Sequence, residues 1–525
     1  VAAVEKTPAS RLIGAALLIP AFLVWLLALV LPTVQLVIMS FQKIQPLRKT
    51  DPEFIGMENY NAVLDHGLVS SILSGVTLAV LPLLVFFMVG PLLGWAASHA
   101  EGRARRAAKA VLMLPLMAFV PAAAAFAWTM RDFPNSLVDL EHAWFQERLT
   151  LTIAVFGLVC ALAVTVYSAV FRPADRPRWA AALVVSGIAV LAGIAIGIQQ
   201  FGLEHITPFG KAATSDVEHL MFDEALRAMR FGAGAATGTM EFVVLAVLGL
   251  LATALIAFTG LRISVLPRET ATRPANPAAT IGLMVGVLVI VAVAAAFLLP
   301  WFGGLFNPVG KGPKADFVAS WIVPLLSAFF AVALAVLGGF GIGAMRPLGR
   351  FSELLLLPFA PWLFTGTGPL SVPAFYDASK SGNWDTLWAL IPPLWMFAPA
   401  LFLFTLLFRG QADRAAPGKF LQTYVLPVLP AAVIAVAVLA LVQAQDFLWS
   451  LIMSGPDITS APAAFVNGAI SASYRSTVDD VAYSTVTPLW LIPLVVVGAI
   501  AAQWFYADRV VISTSAPVTV NHLPE

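Results

Sequence analysis

Asp446 lies in Gln443-Ala-Gln-Asp-Phe-Leu-Trp449, so an acid, two amides and an indole fall close together within an apolar run from about 420 to 453. Ionisable groups at membrane depth are expensive and tend to line a cavity or pathway, so Asp446, Gln443, Gln445 and Trp449 are read as lining the route of a solute. Glu241, near the outer third of the apolar run 233–261, belongs to the same reading. A position for Asp446 at the outer interface explains it equally well. Gln199 and Gln200 end another run and suit an interfacial cap. Trp128, Trp362, Trp388, Trp395, Trp449 and Trp490 could stack on sugar rings, although aromatic belts form at membrane interfaces without any ligand. Prolines such as Pro115, Pro358, Pro361 and Pro399 free backbone carbonyls and permit kinks, which a pathway can use. Two further pairs, Asp175 with Arg176 and Asp413 with Arg414, sit in short basic loops beside Arg172 and Arg409.

Motifs for catalysis are weak. Gly304 to Lys311 approaches a phosphate loop, but the spacing is off by one and Gly312 stands where a Ser or Thr would hold magnesium. Asp479-Asp480 is an acidic pair without companion ligands. Six His and one Cys, Cys160, give no metal spacing and no intramolecular disulfide, so no cofactor is expected and the chain is read as a non-enzyme.

The elements that must position these residues follow from composition. Of 525 residues, 60% are hydrophobic and 11% charged, with a mean hydropathy of +0.88, whereas soluble domains carry about 25% charged residues. An unpaired backbone amide in hydrocarbon costs several kcal/mol, so the spans must be helices or a closed barrel; long runs without two-residue alternation select helices. Twelve runs near the length of a span are expected, close to 12–40, 69–98, 108–130, 149–171, 179–200 and 233–261, then 279–302, 317–345, 354–373, 386–408, 420–453 and 484–506. The fold class is therefore an all-α polytopic membrane protein, with membrane lipid as an obligatory partner. The first run is too long for a cleaved signal and is read as a retained span.

Lys and Arg concentrate in alternate loops. Arg103, Arg105, Arg106, Lys109, Arg172, Arg262, Arg346, Arg409 and Arg509 fall on one side; the other holds Asp216, Glu218, Asp223 and Glu224. The basic side faces the cytoplasm, which puts both termini there. The net charge of +1 gives no reason to propose nucleic acid as a partner.

The stretch 266–278 is polar and proline-bearing and reads as a linker between halves 1–265 and 279–525, each with six spans. The halves share local patterns. Leu112-Met-Leu-Pro-Leu, after a basic loop, answers Leu355-Leu-Leu-Pro-Phe, and Phe171-Arg-Pro-Ala-Asp-Arg176 answers Phe408-Arg-Gly-Gln-Ala-Asp-Arg414. Even span numbers make the repeat parallel.

On these residues the chain resembles the permease subunits of binding-protein-dependent ABC importers of the carbohydrate-uptake type, as a fusion of the two. Leu17-Leu-Ile-Pro-Ala, Phe54-Ile-Gly-Met-Glu-Asn-Tyr60 and Phe222-Asp-Glu-Ala-Leu resemble the larger permease. Tyr424-Val-Leu-Pro-Val-Leu-Pro430 and Ala444-Gln-Asp-Phe-Leu-Trp449 resemble the smaller. The resemblance implies a bacterial inner-membrane importer served by an extracytoplasmic solute-binding protein and by cytoplasmic ATPases on separate chains. It also implies a cytoplasmic coupling loop carrying Glu-Ala-Ala. Only Arg172 to Arg178 and Arg409 to Lys419 stand at those places, so both loops are shortened or lost; the residues left to meet an ATPase are Arg172, Asp175, Arg176, Arg409, Asp413 and Arg414. Two other readings remain open: a non-transporting scaffold or sensor that docks partner subunits, and a twelve-span secondary transporter.

Overall fold

The computed structural model describes residues 8–45, 51–117, 143–172, 179–202, 216–266, 276–306, 315–414, 419–475, 484 and 486–514. Among these, nine helices are long and apolar enough to cross a membrane: α1 (Ser10–Ser40), α2 (Leu68–His99), α3 (Glu147–Phe171), α4 (Trp179–Ile198), α5 (Phe231–Thr259), α6 (Pro277–Leu299), α7 (Val318–Met345), α8 (Leu421–Gln443) and α9 (Leu491–Arg509). Large apolar side chains cover the outside, among them Leu12, Leu92, Leu183 and Phe258, the last 91% exposed. A surface of this kind belongs in lipid, and the chain is a multi-pass helical membrane protein.

Four of the twelve expected runs take a different form. The run 108–130 begins as a basic helix, Gly102–Val111, and a 3-10 turn, Leu114–Met117; the remainder, with Trp128, lies outside the described residues. The run 354–373 is a 3-10 stretch, Gly349–Trp362, holding Pro358 and Pro361, followed by a break and the helix Gly368–Ser381. Each proline withholds a donor and crowds the preceding turn, and two of them one turn apart favour the tighter 3-10 winding here. The run 386–408 is helical only over Ala398–Ala412. The run 420–453 divides at Ala444–Asp446 into α8 and a short helix, Phe447–Met453, so Asp446 is an N-cap at a break rather than a residue within a span.

Proline also sets a recurrent bend. In α1, α7 and α8 a wide π turn is closed by the amide just before a proline: Leu31 donates to the Leu26 carbonyl ahead of Pro32, Val323 to Val318 ahead of Pro324, and Leu426 to Leu421 ahead of Pro427. The ring displaces the carbonyls behind it, and the last available amide reaches one residue further back.

Elements on either side of the 266–278 stretch pack reciprocally. α1 lies on α7, where Gly14 and Gly341 meet; α6 lies on α2, where Gly286 faces Leu93. α5 packs on the 3-10 stretch Gly349–Trp362, and α9 on the 3-10 turn Leu114–Met117. The Leu-Pro dipeptides of the two motifs matched in sequence, Leu114-Pro115 and Leu357-Pro358, are thus both in 3-10 form. Beyond α5 and α9 the chain forms β3 (Arg262–Val265) and β4 (Val510–Ser513), paired antiparallel with Arg262 opposite Ser513 and Val265 opposite Val510. β3 rests on the helix Ala398–Ala412, where the Ser264 hydroxyl donates to the Gly410 carbonyl, and β4 rests on α3 with Ile512 against Tyr167 and Phe171. A second pair, β1 (Gln42–Lys43) with β2 (Glu53–Phe54), caps α1 at the opposite end; there Asn59 donates to the carbonyls of Ser40 and Gln42.

Candidate functional site

A polar centre forms where helices stop inside the bundle. The link Gly366-Thr367-Gly368, between the 3-10 stretch and the helix Gly368–Ser381, meets three partners in succession. The Gly366 amide donates to Gln199 Oε1 at 2.6 Å, while Gln199 Nε2 donates to the Phe364 carbonyl at 2.8 Å. Gln199 therefore satisfies backbone groups that the break exposes. The Thr367 hydroxyl donates to Asp446 Oδ2. Gly368 lies directly against the Glu218 carboxyl, with no space for a β-carbon.

Asp446 is half-buried. Its Oδ1 accepts the Trp449 amide at 3.0 Å, so the first turn of Phe447–Met453 and Thr367 both hold it in place; burial pushes its carboxyl up and these hydrogen bonds oppose that. Trp449 is buried and donates to the Ala389 carbonyl at 3.2 Å. Gln443 and Gln445 are each 6% exposed, and their amide groups have no hydrogen-bond partner among the described residues. Glu241, in α5, is 0% exposed and neither carboxyl oxygen has a hydrogen-bond partner among the described residues. The structure thus brings Glu241 and Asp446 into one buried region, both acting on a third acid, Glu218.

Glu218 sits on the short helix Val217–Phe222 and is 5% exposed. Burial first, then Glu241, Asp446 and Asp216, push its carboxyl well above the ordinary range. In the sequence it sits among Asp216, Asp223 and Glu224, where an exterior acidic loop is the natural expectation. Its neighbour Asp216 faces the charge of Arg148, a buried side chain at the start of α3 that donates to Thr77 Oγ1 at 2.9 Å and to Ser74 Oγ at 3.0 Å.

Of the aromatic candidates, Trp362 is buried and donates to Thr33 Oγ1 at 3.2 Å, whereas Trp388, Trp395 and Trp490 are exposed. Cys160 is buried within α3.

At the end of the bundle bearing β3 and β4, the loop residues are engaged in internal pairs. Arg172 lies 3.8 Å from Asp508, which also takes a two-pronged bond from Arg105 at 2.8 and 3.2 Å. Arg409 lies 3.1 Å from Glu353, shared with Arg346 at 3.4 Å. Asp413 pairs with Arg262, and Arg414 donates to the Val265 carbonyl. Asp175 and Arg176 lie outside the described residues.

Lys109, on the basic helix, is 2% exposed and 4.0 Å from Asp508. Burial pushes its amine down to about 8; Arg105 and Arg172 act the same way and Asp508 opposes them. A lowered folded value means that the burial penalty is present in full below about 8 and is relieved as pH rises toward the unfolded value of 10.5, because the unfolded chain then holds a proton the folded one has lost. Stability should rise with pH across that window. Thermal unfolding in detergent should show this increment in the wild type and not in Lys109→Met, which should be at least as stable near neutrality, because an apolar replacement of a buried charge is often neutral or stabilising.

No family model, curated protein or solved structure matches this chain.

Proposed function

We propose that the chain is the membrane permease of a solute-import system of the ABC type, with its pathway between two halves. The observation that supports it best is the composition of the polar centre. Gln199, Glu218 and Glu241 come from before the 266–278 stretch, Gly366, Thr367 and Asp446 from after it, and they meet at interrupted helices. Discontinuous helices meeting near the middle of a helical bundle are the usual setting of a transporter's site. The reciprocal packing of α1 on α7 and α6 on α2 agrees with two six-span halves that exchange their first spans. On this reading twelve spans place both termini in the cytoplasm of a bacterial inner-membrane protein, and an exterior binding protein delivers the solute, a carbohydrate by the resemblance.

A second reading has a specific observation in its favour. Arg172, Arg409, Asp413 and Arg414 are all engaged within the chain, and the acidic centre carries more carboxyls than cations; both suit a secondary transporter driven by an ion. Purification of the tagged chain in mild detergent separates the two. Recovery of an ATPase, with hydrolysis reduced by combined Asp175→Ala and Asp413→Ala substitutions, is expected for the ABC permease. Recovery of the chain without an ATPase under conditions that retain other membrane subunits would overturn it.

A further inference from the structure

The helix Val217–Phe222 packs on α5, which brings Glu218 close enough to Glu241 for an ionised Glu241 carboxylate to disfavour ionisation of Glu218. A lone carboxylate so buried loses several kcal/mol of solvation unless it is paired or neutralised. The surrounding charges are already committed. Arg148 of α3 faces Asp216, and Asp446 is held by Thr367 and the amide of Trp449. His219 lies 3.6 Å from Asp223, which Arg227 also holds at 2.8 Å; Glu224 takes His66 and Arg230. The elements packed on α5 bring Glu353, held by Arg346 and Arg409, Asp377, which accepts from Gln35, Lys380 over the Tyr376 ring, and the exposed Lys43, Glu58 and Asp65. The Leu68–Leu78 segment of α2, packed on Val217–Phe222, has no charged side chain. No Lys, Arg or His among the described residues forms an ion pair with Glu218 or Glu241.

Size narrows what can neutralise them. The backbone at Gly368 closes on the Glu218 carboxyl, and among the described residues no group of three or more His, Cys, Asp or Glu is arranged to hold a metal ion. On the segment that ends in Asp446, Gln443 and Gln445 are buried and without a hydrogen-bond partner among the described residues, an unused capacity for hydrogen bonds.

We propose that Glu218 and Glu241 form a proton-binding carboxyl pair that holds at least one proton while the polar centre at Gly366–Gly368 excludes water and releases it when water enters. In the release step an O–H bond of one carboxyl breaks, the proton passes to water as hydronium, and the pair gains one negative charge. Only the use of that proton in transport rests on the permease reading; its binding does not.

Attenuated-total-reflection infrared spectra of the full chain in liposomes test this. The wild type should show a protonated-carboxyl C=O band at neutral pH that disappears on alkaline titration. Glu218→Gln and Glu241→Gln should each move the midpoint, the double variant should lose the band, and Glu58→Gln should leave it unchanged. Absence of the band in the wild type at neutral pH would overturn the proposal, as would its persistence in the double variant. If the double variant does not fold, unmoved midpoints in both single variants would overturn it equally. An ATPase recovered without the band would leave the permease reading standing and remove the proton pair; the band without an ATPase would do the reverse.

Discussion

Asp508→Ala is expected to destabilise the protein by about 3–5 kcal/mol, the usual effect of removing one partner from a buried ion network. Asp508 is 7% exposed and is the common acid for Arg105, Lys109 and Arg172, whose side chains are 13%, 2% and 22% exposed. Without it, three cations face one another in a poorly hydrated place. The consequence reaches far along the chain, because the network joins the helix Gly102–Val111 and the end of α3 to the end of α9. Unfolding of purified protein followed by circular dichroism would register the loss, and Arg172→Ala, which leaves the two-pronged Arg105 bond in place, should have a much smaller effect. A wild-type unfolding temperature for Asp508→Ala would mean that the network contributes little.

Gly249→Val should be nearly as damaging, by about 1–3 kcal/mol or more, through overpacking. A β-carbon at Gly249 of α5 would run into the Ala360 carbonyl oxygen, with Leu363 Cβ 3.3 Å away. That carbonyl has little freedom: it accepts the Leu363 amide at 3.0 Å and is followed by Pro361. The helix must therefore move away from the 3-10 stretch, and the displacement passes to Gly366 and Thr367, which hold Gln199 and Asp446. Gly282→Ala in α6 is the control. Nothing lies within 4 Å of a β-carbon there, and replacing a helical glycine should stabilise by about 0.5–1 kcal/mol. Equal unfolding temperatures for Gly249→Val and wild type would show that the two elements are free to separate.

How much of this could be read in the sequence differs from residue to residue. Asp446 and Glu241 stand out because an acid in an apolar run has few bland explanations, and the structure brings both into one buried centre. Glu218 gives no such signal, since its acidic neighbours make the segment look hydrated; only the fold reveals that Val217–Phe222 is tucked against α5. The run 354–373 has the hydropathy of a span, yet four prolines and two glycines interrupt it, and hydropathy is blind to that. Nor could the β3–β4 pairing be anticipated. Each strand is four residues of ordinary β-formers at the foot of a helix, and its partner lies almost half the chain away.

That ladder has a mechanical meaning. β3 continues from α5 and β4 from α9, so these two spans cannot part at this end until the hydrogen bonds between Arg262–Val265 and Val510–Ser513 are broken. A two-stranded ladder is marginally stable by itself in water. Here it is backed by Arg509, which donates to the Leu266 carbonyl at 2.8 Å, and by the ions gathered on Asp508. The arrangement ties the feet of the two helices together through a short ladder whose hydrogen bonds can break without unfolding either helix.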